Sequence, residues 1–210
     1  MNILCAGMRR SGSTWLYNAT RMICAQHGSV YGMFADHHRL PNAGEYDYVI
    51  RKVHAHKKRY AKWADVVLTS HRDLRDVAAS AYRRSLWRHT KDVIGYLDQA
   101  AYREYAKWGK VAAWNMCYER MIQDPVGRVA HLALVLGLPC YDPRLIREEL
   151  DELTGPREGV DQATQMNAHH RTSDGQHGRY RQTLSLDLIR AIEKHFGRWL
   201  RYHGYELEAR

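Results

Sequence analysis

The sequence predicts an α/β fold, a mostly parallel central sheet flanked by helices, with a P-loop-like strand, glycine loop and helix at its N-terminus. Two observations carry that prediction. Short apolar runs that end in basic residues alternate with stretches whose apolar residues recur at helical spacing. The chain of 210 residues, 45% of them hydrophobic, is long enough for a sizeable core and short enough for a single domain, 1–210.

Residues 2–8 (NILCAGM) read as a buried strand that breaks into Arg9, Arg10, Ser11 and Gly12. Thr14, Trp15, Leu16, Ala19, Met22 and Ile23 then recur on one face of a helix, which Gly28 is expected to close. Residues 47–54 (DYVIRKVH) and 64–72 (ADVVLTSHR) read as buried parallel strands with basic ends. The stretch from Asp73 (DLRDVAASAYRR) is helical in composition, and Ile94, Leu97, Ala101 and Tyr105 share a face of a further helix that leads to Trp108. Residues 110–121 (KVAAWNMCYERM) are expected to give a fourth strand. Asp124-Pro125 and Asp142-Pro143 each pair an N-cap acceptor with a proline at the first helical position, so two helices start there. Ile189, Ile192, Phe196, Trp199 and Leu200 lie on one face of a last helix, which Gly204 ends. Residues 154–183, rich in Gly, His, Gln and Asp, read as a long surface loop of the kind that carries function.

Composition narrows the partners. Lys and Arg number 32 against 23 Asp and Glu, a net charge of +9, and 13 histidines add to it as pH falls. A polyanionic partner fits that balance, whether nucleic acid, acidic surface or a small ligand with several phosphates. No apolar run approaches the roughly 20 residues that span a bilayer. Cys5, Cys24, Cys117 and Cys140 form no C-x-x-C pair and no hydrophobic leader precedes them, so a soluble protein of the reducing cytoplasm is expected, its cysteines serving as small hydrophobes. The histidine pairs 37–38 and 169–170, with His54 and His56, show no ligand spacing, and no metal is expected.

The chemistry starts at Gly7–Thr14 (GMRRSGST). Gly7 and Gly12 have the gap of a P-loop and Thr14 stands at its hydroxyl position, but position 13 is serine instead of lysine. A glycine turn that aims N–H groups inward, ahead of a helix N-terminus, still suits a phosphate. Magnesium-dependent phosphoryl transfer is less well served, because the bridging lysine is missing and the strand over 64–70 ends in Thr69 and Ser70 instead of an acidic metal holder.

These residues resemble the sulfotransferases that use 3′-phosphoadenosine 5′-phosphosulfate (PAPS). The first motif of that family, Lys or Arg, Ser, Gly, Ser or Thr, Thr and an aromatic or aliphatic residue, is matched by Arg10, Ser11, Gly12, Ser13, Thr14 and Trp15. The second, a strand-end arginine with a serine eight residues later, is matched by Arg72 and Ser80. Lys52-Val53-His54 looks like the family's lysine-x-histidine strand end, and Tyr118-Glu119 like its Tyr-Glu pair. Gly175, Gly178 and Tyr180 fit the frame of the closing donor motif, but Ser173 and Asp174 stand where arginine and lysine are usual. His169, His170, Arg171 and Arg179 are the basic residues at hand to replace them.

The resemblance, which spans about residues 2–185, implies a sulfotransferase with PAPS as co-substrate and a small-molecule hydroxyl as acceptor, with no nucleic acid partner. It implies His54 as general base, with His56 two residues on as the alternative. Arg10 and Lys52 would stabilise the sulfuryl and bridging oxygens. The backbone of Ser11, Gly12 and Ser13 with the Thr14 hydroxyl would hold the 5′-phosphate, Arg72 and Ser80 the 3′-phosphate, and Tyr118 would lie near the adenine. Segments 31–46, 83–95 and 154–177 are the expected acceptor-facing loops. The competing readings are a P-loop kinase or phosphotransferase and a non-enzymatic polyanion-binding protein.

Overall fold

The computed structural model describes residues 1–34, 44–82, 90–153 and 176–208. Five strands, β1 (Asn2–Cys5), β2 (Val30–Phe34), β3 (Tyr48–Lys52), β4 (Val66–His71) and β5 (Trp114–Cys117), form one sheet of order β2-β3-β1-β4-β5, every pair parallel. Ile3 and Cys5 join a core on one face while Leu4 and Ala6 join another, so β1 is buried on both sides as a parallel strand must be. Beyond Cys5 the ladder continues through Ala6 N–H to the Leu68 carbonyl and Met8 N–H to that of Ser70, so the chain leaves the sheet only at Arg9.

One face is covered by α1 (Ser13–Ala25), α7 (Pro125–Leu136) and α8 (Pro143–Glu152), which bring Leu16, Ile23, Leu132 and Ile146 onto Ile3, Ile50, Leu68 and Met116. The opposite face holds α2 (Lys58–Trp63), α3 (Leu74–Tyr82) and α10 (Leu186–Tyr202), together with a helical run α4 (Thr90–Tyr96), a π-helical turn (Leu97–Tyr102) and α5 (Arg103–Trp108). Val77, Leu97, Tyr105, Ile192 and Phe196 fill its larger core. The short α6 (Tyr118–Gln123) follows β5, and the single turn α9 (Tyr180–Thr183) precedes α10.

The helix punctuation is as the sequence predicts. Asp124 accepts from Gly127 N–H at 2.9 Å and Asp142 from Arg144 N–H at 2.8 Å, each ahead of its proline, and Gly137 and Gly204 take φ of +65° and +80° at helix C-termini. Several expectations need correction, and the loops expected over 83–95 and 154–183 give way to α4 from Thr90 and to α9 from Tyr180. Helix α1 stops at Ala25 and Gly28 is not left-handed; a Cβ on Gly28 would lie 2.6 Å from an oxygen of Asp47, which instead caps the turn at Ser29. The strand expected over 110–121 is confined to Trp114–Cys117, because Tyr118 already starts α6. Residues 31–34 of the expected loop 31–46 belong to the edge strand β2 (Val30–Phe34), whose Gly32 leaves room for the Tyr17 hydroxyl of α1.

All four cysteines are free thiols. Burial pushes Cys5 and Cys24 up to about 12, which keeps them protonated and inert, as expected of packing cysteines. Among the described residues no helix is long and apolar enough to cross a membrane.

Candidate active site

Brought side by side, β1, β3 and β4 end at the same edge of the sheet; from β1 the chain crosses to the edge strand β2, returns to β3 beside β1, and then crosses to the other side for β4 and β5. In open parallel sheets that reversal of direction opens a crevice at the carboxyl edge. The loop after β1 fills it. Gly7 is pressed against β4, since a Cβ there would stand 2.2 Å from Ser70 Oγ. Ser11 Oγ lies 2.7 Å from the Met8 carbonyl, 3.1 Å from the Ser70 carbonyl and 2.7 Å from Ser70 Oγ, so its side chain staples the loop down and leaves only its backbone to face a ligand. Arg10 and Gly12 are both left-handed, at φ +66° and +76°, the alternation from which backbone anion nests are built. Gly12 is also the N-cap of α1, which has no side-chain cap and no acidic residue in its first turn. The first N–H groups of a helix have no partner inside it, and the positive end of the α1 dipole lies at this loop.

Lys52 approaches the same helix start from β3. Its ammonium donates to Thr14 Oγ1 at 2.5 Å, and the residue is 6% exposed. Burial, with help from the positive charge of Arg10 and against the influence of Cys5, brings its pKa down to about 8. Two residues on and on the same face of the extended chain, His54 places Nδ1 2.8 Å from the Gly7 carbonyl. A carbonyl only accepts, so Nδ1 carries the proton and Nε2 is the basic nitrogen of the neutral ring. His56 turns elsewhere: its ring packs on Trp108 at 4.5 Å and its N–H is taken by Glu104. Of the two candidate bases, His54 is the one at the loop.

Arg72, just past β4, is 5% exposed. Its Nη2 donates to the Gln176 carbonyl at 3.1 Å and lies 3.7 Å from Asp76, while its guanidinium stacks 4.1 Å above the Tyr118 ring. Its Nε is buried and has no partner among the described residues. Ser80 does not contact Arg72; it accepts from Arg10 Nε at 2.9 Å and so ties the loop to α3. Tyr118 is buried between that loop and Arg72, with a Cβ on Gly12 coming within 3.0 Å of its ring. Ser13 packs under Gly7, and Trp15 of α1 is half-buried against the core. Gly178 is left-handed at φ +75° and donates to Asp76. Gly175, with Ser173, Asp174, His169, His170 and Arg171, lies outside the described residues.

Sequence reasoning offered Asp73 and Asp76 only as ion-pair partners of Arg72 and did not anticipate the backbone groups that the acidic residues behind this edge hold. Asp76 meets Gly178 and Tyr180, and Glu119 accepts the Asp73 N–H at 3.0 Å and the Tyr205 hydroxyl at 2.9 Å. Arg75 is held by Asp73 at 2.7 Å and Glu193 at 2.5 Å. The one local signal was the i, i+4 spacing of Arg72 and Asp76.

An all-parallel five-stranded sheet flanked by helices is the fold that solved sulfotransferase structures share with this chain. No protein-family model and no curated protein sequence matches the chain. Among solved structures it is similar to mouse sulfotransferase SULT7A1 complexed with PAP, the desulfated form of PAPS, with a TM-score of 0.69 at 12% identity over 95% of this chain and 84% of that one. It is likewise similar to retinol dehydratase in complex with androsterone and inactive cofactor PAP, with a TM-score of 0.67 at 14% identity over 99% and 82% of the two chains. A second retinol dehydratase structure, with retinol and PAP, superposes with a TM-score of 0.63 at 15% identity, over 100% of this chain and 83% of that one.

Proposed function

We propose that the protein transfers a sulfuryl group from PAPS to the hydroxyl of a small-molecule acceptor in the cytoplasm. The observation that carries this reading is the convergence on one uncapped helix N-terminus of a buried ammonium, Lys52 on Thr14, and an imidazole, His54, oriented by the Gly7 carbonyl. The site's empty donor capacity fits the donor: α1 offers N–H groups for a 5′-phosphate, and the buried Arg72 Nε offers a donor for a 3′-phosphate.

In this reading the acceptor hydroxyl attacks sulfur in line with the bond to the 5′-phosphate oxygen, and His54 Nε2 takes the hydroxyl proton. The imidazolium that forms keeps its Nδ1–H on the Gly7 carbonyl. The S–O bond to the phosphate breaks with its electron pair on the phosphate oxygen. That charge meets Lys52, the Thr14 hydroxyl and the N–H groups at the start of α1, which are in place before the reaction. Arg10, braced on Ser80, adds a fixed cation to the loop. Tyr118, stacked on Arg72 beside the loop, would lie near the adenine.

Phosphoryl transfer from ATP is the poorer reading, because Ser70, at the strand end where a metal-holding carboxylate would be needed, is consumed in fastening Ser11. Calorimetric titration at moderate salt with PAP, adenosine 5′-phosphate and ATP plus magnesium separates the two. Micromolar or tighter binding that requires the 3′-phosphate is expected; no PAP binding, or preference for ATP with magnesium, overturns the proposal.

A further inference from the structure

The turn α9 begins without a cap of its own: its N-cap residue, Arg179, makes no side-chain cap hydrogen bond. The first N–H groups of a helical turn have no partner inside it, so a buried turn must find acceptors elsewhere. Here they come from α3. Asp76, 1% exposed, accepts the Gly178 N–H on Oδ2 at 2.7 Å and the Tyr180 N–H on Oδ1 at 3.0 Å. The left-handed φ of +75° at Gly178 belongs to the turn that brings both N–H groups to one carboxylate. The same carboxylate lies 3.7 Å from Arg72, whose Nη2 holds the carbonyl of Gln176 two residues before Gly178. Tyr180 is fixed on its other side by Arg75, 4.4 Å over the ring, and by the Glu208 carboxylate on its hydroxyl at 2.7 Å.

We propose that Asp76 is a positioning residue of the donor site, a clasp that holds residues 176–180 on α3 and so fixes the orientation in which Arg72 meets a 3′-phosphate. The proposal rests on the donor-site reading above. Asp76 touches no donor group itself. With both oxygens on backbone N–H groups and its charge beside Arg72, it anchors the returning C-terminal segment where the sequence lacks the usual Arg-Lys pair, having Ser173 and Asp174. Gln176 occupies Nη2 of Arg72, and Nε is left for the ligand.

The test uses the full-length protein, the variants Asp76→Asn and Asp76→Glu, and two readouts. An asparagine accepts one of the two N–H groups and turns an NH2 toward the other, whereas glutamate keeps two acceptors. Calorimetry is expected to show PAP bound at least tenfold more weakly by D76N, with adenosine 5′-phosphate changed less than twofold and part of the PAP affinity recovered in D76E. Limited trypsinolysis is expected to cut after Arg179 or Arg181 at least tenfold faster in D76N, and saturating PAP to slow that cut. If wild type fails to bind PAP, the donor-site reading falls and this role with it. If wild type binds PAP and D76N matches it in affinity or in cleavage rate, the clasp alone is refuted. Should D76N not fold, D76E carries the test: equal weakening toward PAP and adenosine 5′-phosphate overturns the proposal, and selective weakening toward PAP supports it.

Discussion

Lys52→Met is the substitution that separates chemistry from stability at this site. Burial moves the ammonium from a pKa of 10.5 to about 8. At ~1.4 kcal/mol per pK unit, the charged form in the fold is disfavoured by ~3 kcal/mol at pH 7. A group whose folded pKa is depressed in this direction binds its proton more readily when unfolded, so the cost is complete below pH 8 and is relieved as pH rises toward 10.5. Methionine is of similar length, carries no charge and does not titrate. It forfeits the bond to Thr14, worth ~1.5–3 kcal/mol for a charged donor, so the net gain at pH 7 is small. The pH dependence is the sharper readout. The cost of wild-type Lys52 falls from ~3 kcal/mol at pH 7 to ~1.5 kcal/mol at pH 9.5, so the advantage of the methionine variant over wild type shrinks by ~2 kcal/mol across that interval. In thermal melts that is a relative shift of about 4–8 °C for a domain of this size. Sulfuryl transfer is expected to fall about 100-fold or more in the same variant, the usual cost of removing one preorganised donor. Parallel melting curves from pH 7 to 9.5 would show that Lys52 is not a desolvated cation, and undiminished turnover would remove it from the mechanism.

His54→Ala should reduce turnover about 100-fold or more while PAP affinity stays within a few fold, read from initial rates and calorimetry; near-normal turnover would exclude His54 as the base. Arg72→Ala should weaken PAP far more than adenosine 5′-phosphate, and equal loss for both would mean that the arginine does not read the 3′-phosphate. Behind the site, burial and the neighbouring His71 hold the pKa of His203 at about 4, the rings being 4.4 Å apart, and burial also lowers that of His71. Both imidazoles take up protons more readily when unfolded, so their contribution is intact above about pH 6.5 and is lost as pH falls toward 4, with Glu119 the carboxylate that opposes the effect. His203→Phe, which keeps a ring against Trp199, should flatten that part of the acid limb in melts between pH 6.5 and 4, and an unchanged slope would refute the assignment.

What was legible in the sequence was local. Strands β1, β3 and β4 are short apolar runs whose burial on both faces is written in their composition, and the aspartate-proline pairs state their own hydrogen bonds within three residues. The loop from Gly7 to Thr14 is likewise one contiguous motif. Strand β2 was not legible because VYGMF has a glycine at its centre and becomes a strand by pairing with β3. Direction was equally hidden. That Ser11 turns its hydroxyl into the fold depends on Ser70, 59 residues away, and that Arg10 bonds Ser80 depends on α3, 70 residues away. Asp76 finds its partners 102 and 104 residues on, across the segment in which no periodicity appears.

Uncapped helix starts and buried unpaired N–H groups also occur away from the site, as at α2 and at Arg21 and Arg51 among the described residues. The carboxyl edge of β1, β3 and β4 differs in that several destabilising features meet there. Arg10 takes a left-handed φ that costs a non-glycine residue ~1 kcal/mol or more, Lys52 is buried with its charge, α1 starts without a side-chain cap, and Arg72 keeps a buried N–H without an acceptor among the described residues. The buried Lys52 charge, the open start of α1 and the buried Arg72 N–H are each of the sign that an anion would relieve. A ligand with one phosphate would answer the loop, Lys52 and α1 but would leave Arg72 as it is. On the proposed donor-site reading, a ligand that brings negative charge both to the loop and to Arg72, which stacks on Tyr118, relieves all three. A nucleotide phosphorylated at the 3′ and 5′ positions meets that requirement, and this is why loss of Arg72 should be felt by PAP and hardly at all by adenosine 5′-phosphate.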